Sequence, residues 1–240
     1  MSNDSLLIRV QGLWQELASS AASFGAAGEV GVVASPGSRI CPPGWVGIVL
    51  LGGAVIVTAP SEKSAARIRQ AVAELPAAKL TDPEAVGKVL PIGEVLGPAA
   101  LAYAVADGFR PAASAELRVE ELPAGHADLE ALEQVAGVED AGEASLAEIT
   151  SPAFVLRVDG EVVAASGYRE WPGSTAHVSV LTSPAWRGKG FARVTGSASV
   201  RHALAQDLLP QWRARVPASR KAAIALGFSE LGSQLSIRLV

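Results

Sequence analysis

The six residues Arg187-Gly188-Lys189-Gly190-Phe191-Ala192 constrain this chain more than any other stretch. They stand between an apolar run at 176–182 that reads as a strand and the start of a long helix. A strand, a glycine-containing turn and a helix N-terminus together form a pocket of backbone N–H groups, and the helix dipole adds positive potential there. Such a pocket binds phosphate. Arg187 and Lys189 place full charges beside it, so a pyrophosphate is the expected guest.

Composition removes several classes of partner. The net charge of −4 advertises no basic face for nucleic acid, and a mildly acidic surface tolerates cationic, amine-bearing molecules. Cys41 is the single cysteine, so an internal disulfide and a thiolate metal site are both excluded, no metal is expected, and a cytoplasmic protein is the simplest reading. The N-terminus lacks the basic start and apolar core of a signal peptide. The one long apolar run, 44–59, falls short of the ~20 residues that a membrane helix needs. It is broken by Gly52-Gly53 and rich in Val and Ile, which predicts two buried strands and a tight turn. No membrane partner is expected.

Along the chain, a helix is expected over 6–20, a strand at 29–34, a Pro/Gly loop at 35–44 and a hairpin at 45–58. A helix at 62–75 carries Ala65, Ile68, Val72 and Leu75 at helical spacing and is stopped by Pro76. The apolar stretch 95–103 is assigned to the same core. No chemical motif stands out in this half, and Cys41, beside two prolines with no obvious base, reads as structural. Residues 104–115 read as a connector, giving a smaller N-terminal α/β domain at 1–110 and a second domain at 116–240.

In the second domain, 116–122 alternates as a strand and short helices are expected at 127–135 and 142–149. Residues 154–158 and 162–168 form a hairpin on Asp159-Gly160, a pair suited to a type I′ turn. After the strand at 176–182, a helix over 190–208 places Phe191, Val194, Ala198, Leu204, Ala205 and Leu208 on one stripe, and Pro210 ends it. A strand at 212–216, a helix at 219–226 and a strand at 234–240 complete an order of β-α-α-β-β-β-α-β-α-β. This predicts an α/β fold of the α+β mixed kind, a central mixed sheet flanked by helices.

That order and its glycine loop resemble the GNAT N-acetyltransferase superfamily. The family signature, Arg/Gln-x-x-Gly-x-Gly/Ala after the fourth strand, is matched in full by Arg187 to Ala192. Val180-Leu181-Thr182-Ser183-Pro184 upstream resembles the usual strand end, and Ser219 eight residues before Gly227, with Leu226-Gly227-Phe228, resembles the family's ending. The resemblance covers about 116–240. The whole chain further resembles a bacterial subgroup whose catalytic half follows an N-terminal domain. That domain is read either as a degenerate GNAT copy or as an unrelated accessory unit; it contains no second Arg-x-x-Gly-x-Gly.

The resemblance implies acetyl-CoA as co-substrate. Arg187, Gly188, Lys189, Gly190, Phe191 and Ala192 would hold its pyrophosphate. Val180, Leu181 and Thr182 would pair their backbone with the pantetheine amides as an added pseudo-strand. Ser219 would donate to the phosphate or pantetheine. A primary amine, of a small molecule or a peptide, would attack the thioester directly in a ternary complex, between the fourth and fifth strands, with a fourth-strand N–H steadying the oxyanion. Two departures stand out: the family's Asn before the helix serine is Val216 here, and the Tyr that protonates the leaving thiolate in many members is Ala223.

An ammonium substrate needs a base or a water chain. His177 lies on the fourth strand and has a suitable ordinary pKa, though a histidine packed on the sheet with one backbone hydrogen bond is the commoner description. Alternation puts it with Ser179 and Leu181, unless a bulge reverses the parity. Asp140 and Glu143 share a helix face where the family's second helix borders the acceptor; helix starts favour acidic residues for dipole reasons alone. Glu143 is the carboxylate candidate, Glu170 is more distant, and His126 and His202 have no supporting constellation. Trp171-Pro172-Gly173, between two strands, reads as a pocket wall or as a tight turn with an anchoring indole. The N-terminal half is expected to cap the pocket or to make a homodimer contact.

Two rivals remain. A dinucleotide loop would need a third glycine where Arg193 stands, and its acid, Asp207, falls at a helix end. The other is a non-catalytic acyl-CoA-binding sensor or scaffold, which the missing Tyr and Asn favour.

Overall fold

A computed structural model describes residues 3–112 and 117–240, which form two compact units. One comprises the chain up to Leu101 with 214–216 and 230–240; the other comprises 102–213 and 217–229.

The first unit opens with α1 (Asn3–Ala18), which buries Leu6, Val10, Leu13, Trp14 and Leu17 along one helical stripe. β1 (Val30–Ala34) precedes the expected hairpin, β2 (Val46–Leu51) and β3 (Ala54–Ala59), which turns on Gly52 and Gly53 at φ +59° and +85°. Helix α2 (Glu62–Val72) is capped by Ser61, whose hydroxyl accepts from the Ser64 N–H at 3.2 Å. The short α3 (Pro83–Gly87) and the strand β4 (Ile92–Tyr103) follow. In the sheet, β1, β3 and β2 are followed by the C-terminal strand of the chain and then β4. Val46, Ile48, Val55 and Val57 pack with Ala65 and Ile68 of α2 and with Leu235 and Ile237. Each such Val, Ile or Leu side chain contributes roughly 1.5–3 kcal/mol by leaving water.

The second unit contains β5 (Glu120–Leu122), α4 (Ala127–Ala136), α5 (Val138–Ala144), β6 (Ala153–Val158), β7 (Glu161–Trp171), β8 (Thr175–Thr182), α6 (Phe191–Ala205), β9 (Leu209–Ala214) and α7 (Pro217–Ala225). β10 (Ser229–Leu239) is the C-terminal strand that returns to the first unit. The strands of the second unit lie in the order β9, β8, β7, β6, β5, with helices on the sheet, as the element order predicts. All neighbours are antiparallel except β8 and β9. The start of the strand expected at 116–122 and residues 113–115 of the expected connector lie outside the described residues; the strand is seen from Glu120. Asp159 and Gly160 take φ +51° and +87°, as a type I′ turn requires.

Three expectations are corrected. The second short helix lies at Val138–Ala144, not 142–149, because Ser145 adopts the left-handed region at φ +49° and ends it; only one 3-10 turn, Leu146–Glu148, follows. β9 starts at Leu209, earlier than expected, and accommodates Pro210, which lacks an N–H but accepts through its carbonyl from the Ala104 N–H at 3.1 Å. The buried residues of α6 are Phe191, Thr195, Gly196, Ser197, Ser199, Val200 and Ala203, whereas Ala205 is exposed. Small and hydroxyl-bearing residues let this helix approach the sheet closely: Ser199 meets Ser166 at 2.7 Å, and the Trp212 ring lies against Gly196.

Candidate functional site

β8 pairs with β7 without a break from Thr182 to Thr175. On its other side it pairs with β9 at three positions only, Thr175↔Leu209, Ala176↔Pro210 and His177↔Gln211. Beyond His177 the two strands part, although β8 continues to Thr182 and β9 to Ala214. A strand whose N–H and C=O groups lose their partner along one edge is a template for an extended, amide-bearing ligand. The edge left by β9 runs along Val178 to Thr182, about 13 Å at the rise of a strand, and includes Val180, Leu181 and Thr182, whose carbonyl accepts from Arg187. Thr182 also carries a buried hydroxyl oxygen without a hydrogen-bond partner among the described residues.

The glycine loop begins five residues after that edge. Gly188 and Gly190 stand at φ +78° and +82°. Gly190 is the N-cap of α6 and offers no side-chain cap; the first helical bonds run from the N–H groups of Arg193 and Val194 to its carbonyl. The N–H groups of Phe191 and Ala192 therefore precede the ladder and are available to an anion at the positive end of a 15-residue helix. Lys189 lies over the Trp186 ring at 3.9 Å, and Trp186 stacks on Phe191. Arg187 is turned to its neighbours: its Nε donates to the Thr182 carbonyl at 3.3 Å and its guanidinium pairs with Asp140 of α5 at 2.5 Å. Ser219, near the start of α7, accepts from the Trp212 indole N–H at 2.9 Å, which leaves its own hydroxyl proton to donate.

His177 sits on the last rung before the strands part. The register of β7, β8 and β9 places Arg169, His177 and Gln211 side by side on one face of the sheet. The register is continuous there, so the expected parity stands; the one irregularity is in β6–β7, at Leu156/Arg157. Leu181, on the same face, packs with Leu129, Leu132 and Ala144 of α4 and α5. Helix α6 occupies the opposite face, where Tyr168 Oη meets His202 Nδ1 at 2.9 Å. The imidazole of His177 stacks on Trp171, 4.1 Å between centroids and 14° between planes, and its Nδ1 pairs with the Gln211 side-chain oxygen. Burial of the ring, with Arg213 and Arg169 nearby, pushes its pKa down to about 3.

The remaining candidates have separate positions. Glu143 lies half-buried on α5, which packs against β8. Glu170 donates its backbone N–H to Thr150 Oγ1 at 3.0 Å. His126 caps α4 by accepting from the Asp128 N–H at 3.2 Å, and His202 belongs to the core beneath α6. Burial pushes the Cys41 thiol up to about 11, consistent with an inert structural residue. Ala223, where the resemblance leads one to look for a tyrosine, is buried at 1% exposure. Sequence reasoning missed Gln211, whose only signal was an amide beside Pro210, before the residues expected to form the strand. The expected turn follows Trp171 at 172–174, and Trp171 itself ends β7 and stacks on His177. Among the described residues no cluster of ligands is arranged for a metal, and no helix is long and apolar enough to cross a membrane.

The family model described as GNAT acetyltransferase matches residues 152–233, the segment from β6 to the start of β10. No curated protein matches the chain in sequence. Among solved structures, a GCN5-related N-acetyltransferase-like protein from Streptococcus suis is similar over 98% of this chain and 99% of its own, at 14% identity and a TM-score of 0.49. A GNAT-family protein from Novosphingobium aromaticivorans shows 19% identity and a TM-score of 0.47 over 61% of this chain, which spans 65% of that protein's length. A phosphinothricin acetyltransferase from Sinorhizobium meliloti, solved in complex with AcCoA, matches 52% of this chain and 88% of its own at 19% identity and a TM-score of 0.38. Over residues 152–233 the chain is thus similar to the GNAT acetyltransferase family.

Proposed function

We propose that the second unit transfers the acetyl group of acetyl-CoA to a primary amine by direct attack in a ternary complex. The observation that carries this reading is the parting of β8 from β9 after His177, immediately upstream of a glycine loop and an uncapped helix start. The residues present fit the co-substrate. Phe191 and Ala192 N–H groups, with Lys189 close by, would hold the pyrophosphate. The edge of Val180, Leu181 and Thr182 would pair with the pantetheine amides, and Ser219 would donate its free hydroxyl proton. Arg187 contributes through its hold on Asp140 and the Thr182 carbonyl, which fixes the loop to α5 and to the end of β8.

The proton balance follows from the side chains. An imidazole with a pKa of about 3 is neutral at physiological pH but a weak base. His177 therefore accepts a hydrogen bond from an amine that is already neutral, and Glu143 takes the ammonium proton through water. Ala223 cannot supply a proton, so the departing thiolate is protonated by solvent, a modest cost for a thiol near neutral pH. An acetyl-CoA-dependent enzyme of this kind acts in the cytoplasm, on a small-molecule or peptide amine.

The buried Ala223 also favours a second reading, a non-catalytic acyl-CoA sensor. Incubating the protein with acetyl-CoA and a panel of amines, and following free thiol, separates the two. Thiol release above hydrolysis with any amine supports transfer; tight acetyl-CoA binding without turnover across the panel supports the sensor.

A further inference from the structure

Gln211 has no exposed surface. Its side-chain oxygen is paired with His177 Nδ1, and its Nε2 has no hydrogen-bond partner among the described residues. One ring nitrogen satisfies only one end of an amide, and the oxygen is the end that faces it when Nδ1 carries the proton. The neutral imidazole fits this arrangement, with Nδ1 donating to the amide oxygen. A buried amide end without a partner costs roughly 1–3 kcal/mol, so its retention calls for a group that fills it.

Position suggests which group. Gln211 forms the last β8–β9 rung with His177, and the strands part beyond it. A pantetheine arm paired along Thr182 to Val178 ends at this rung, bringing its thioester there. The acetyl group has one polar atom, the carbonyl oxygen, and it is an acceptor; the vacant group on Gln211 is a donor. Coenzyme A without the acetyl group offers no such atom.

We propose that Gln211 is an acyl-binding residue whose Nε2–H donates to the thioester carbonyl oxygen where β8 and β9 part. The inference rests on the acetyl-CoA reading above and adds a side-chain donor from β9 to the backbone donor expected from β8. As the carbonyl oxygen gains charge during attack, a donor fixed by its bond to His177 strengthens without rearranging. Trp171, stacked on that imidazole, is a positioning residue for the pair.

The test is a set of dissociation constants for acetyl-CoA, S-ethyl-CoA and CoA, measured by calorimetry on the wild type, Gln211→Leu and Gln211→Met. S-ethyl-CoA keeps the shape of the acyl arm and lacks the carbonyl. The wild type should prefer acetyl-CoA to S-ethyl-CoA, and either variant should lose about five- to tenfold of that preference while its CoA affinity stays the same. Retained CoA affinity also shows that the variant is folded, and the Met side chain preserves length and packing should Leu fail. A variant that binds CoA and keeps the full preference overturns the proposal. So does a wild type that binds both thio compounds equally, which needs no variant at all. A wild type that binds none of the three removes the acetyl-CoA reading itself, and the role of Gln211 with it.

Discussion

Gly188 and Gly190 adopt positive φ, yet a Cβ built on either meets no atom within 4 Å. Their requirement is conformational, not spatial. Gly190→Ala should therefore cost only the left-handed penalty, about 1–2 kcal/mol, seen as a lowered unfolding midpoint. Gly190→Glu adds a carboxylate where the pyrophosphate is expected and should abolish acetyl-CoA binding in calorimetry; an unchanged affinity would refute the placement of the anion. His177 gives a prediction of a different kind. Its folded pKa of about 3 lies below the ordinary 6.5, so between those values the unfolded chain binds more protons than the folded one. The contribution of the neutral ring is thus complete above pH 6.5 and is lost progressively as pH falls towards 3. The residue is not sealed from solvent on every side, so the loss by pH 4 should be nearer 2 than 4 kcal/mol. Urea unfolding at pH 7 and pH 4.5 checks this: His177→Asn should lose less stability over that interval than the wild type, and equal losses would show that the ring protonates freely.

At the scale of elements, much of the second unit was legible. The Asp159-Gly160 turn, the strands around it and the glycine loop are written in local chemistry that tertiary contacts do not override. Helix α6 was not: its length was nearly right, but its buried face was assigned from apolar residues. Thr195, Gly196 and Ser199 face the sheet instead, and hydroxyl pairing and small size are invisible to a hydrophobic stripe. The rung of His177 and Gln211 was half legible, since a long-range pair has no local signature. Leu226-Gly227-Phe228 was recognised by resemblance, and the structure supplies its physical reason. Gly227 stands at φ +88°, a Cβ there would overlap the Gly108 carbonyl oxygen, and the Leu226 carbonyl accepts from the Arg110 N–H at 2.9 Å. Gly160 has nearly the same φ, +87°, with open space around it. Gly160→Ala should cost about 1 kcal/mol and Gly227→Ala more than about 2 kcal/mol. Thermal denaturation of the two variants compares them directly, and equal shifts would mean that the 102–112 segment yields easily.

At the scale of the whole molecule, the chain does not complete its first unit until its last residues. β10 pairs with β2 from Gly232↔Leu51 to Ile237↔Val46 and stands between β2 and β4 in the sheet. It buries Leu235 and Ile237 in the core under α2, and Gln234 Nε2 donates to the Ile40 carbonyl at 2.5 Å. Thr81 and Ser233 exchange a hydroxyl bond at 2.7 Å, across 152 residues of sequence. None of this is readable from a terminal apolar run, which announces a strand but not its neighbours. A fragment ending at residue 112 would lack the central strand of its own sheet, leaving the inner edge of β2 unpaired and the apolar face of α2 short of two core side chains. Such an edge is a template for association. The isolated fragment should therefore run as aggregates in size-exclusion chromatography and exchange its β2 and β3 amides rapidly. Supplying residues 229–240 as a covalent C-terminal extension through a flexible linker should restore a monodisperse species with protected β2 amides. A fragment of 1–112 that is monomeric and protected without the extension would show that β10 is dispensable to the first unit. Restoration by the extension would show that the last strand is the missing piece of its core.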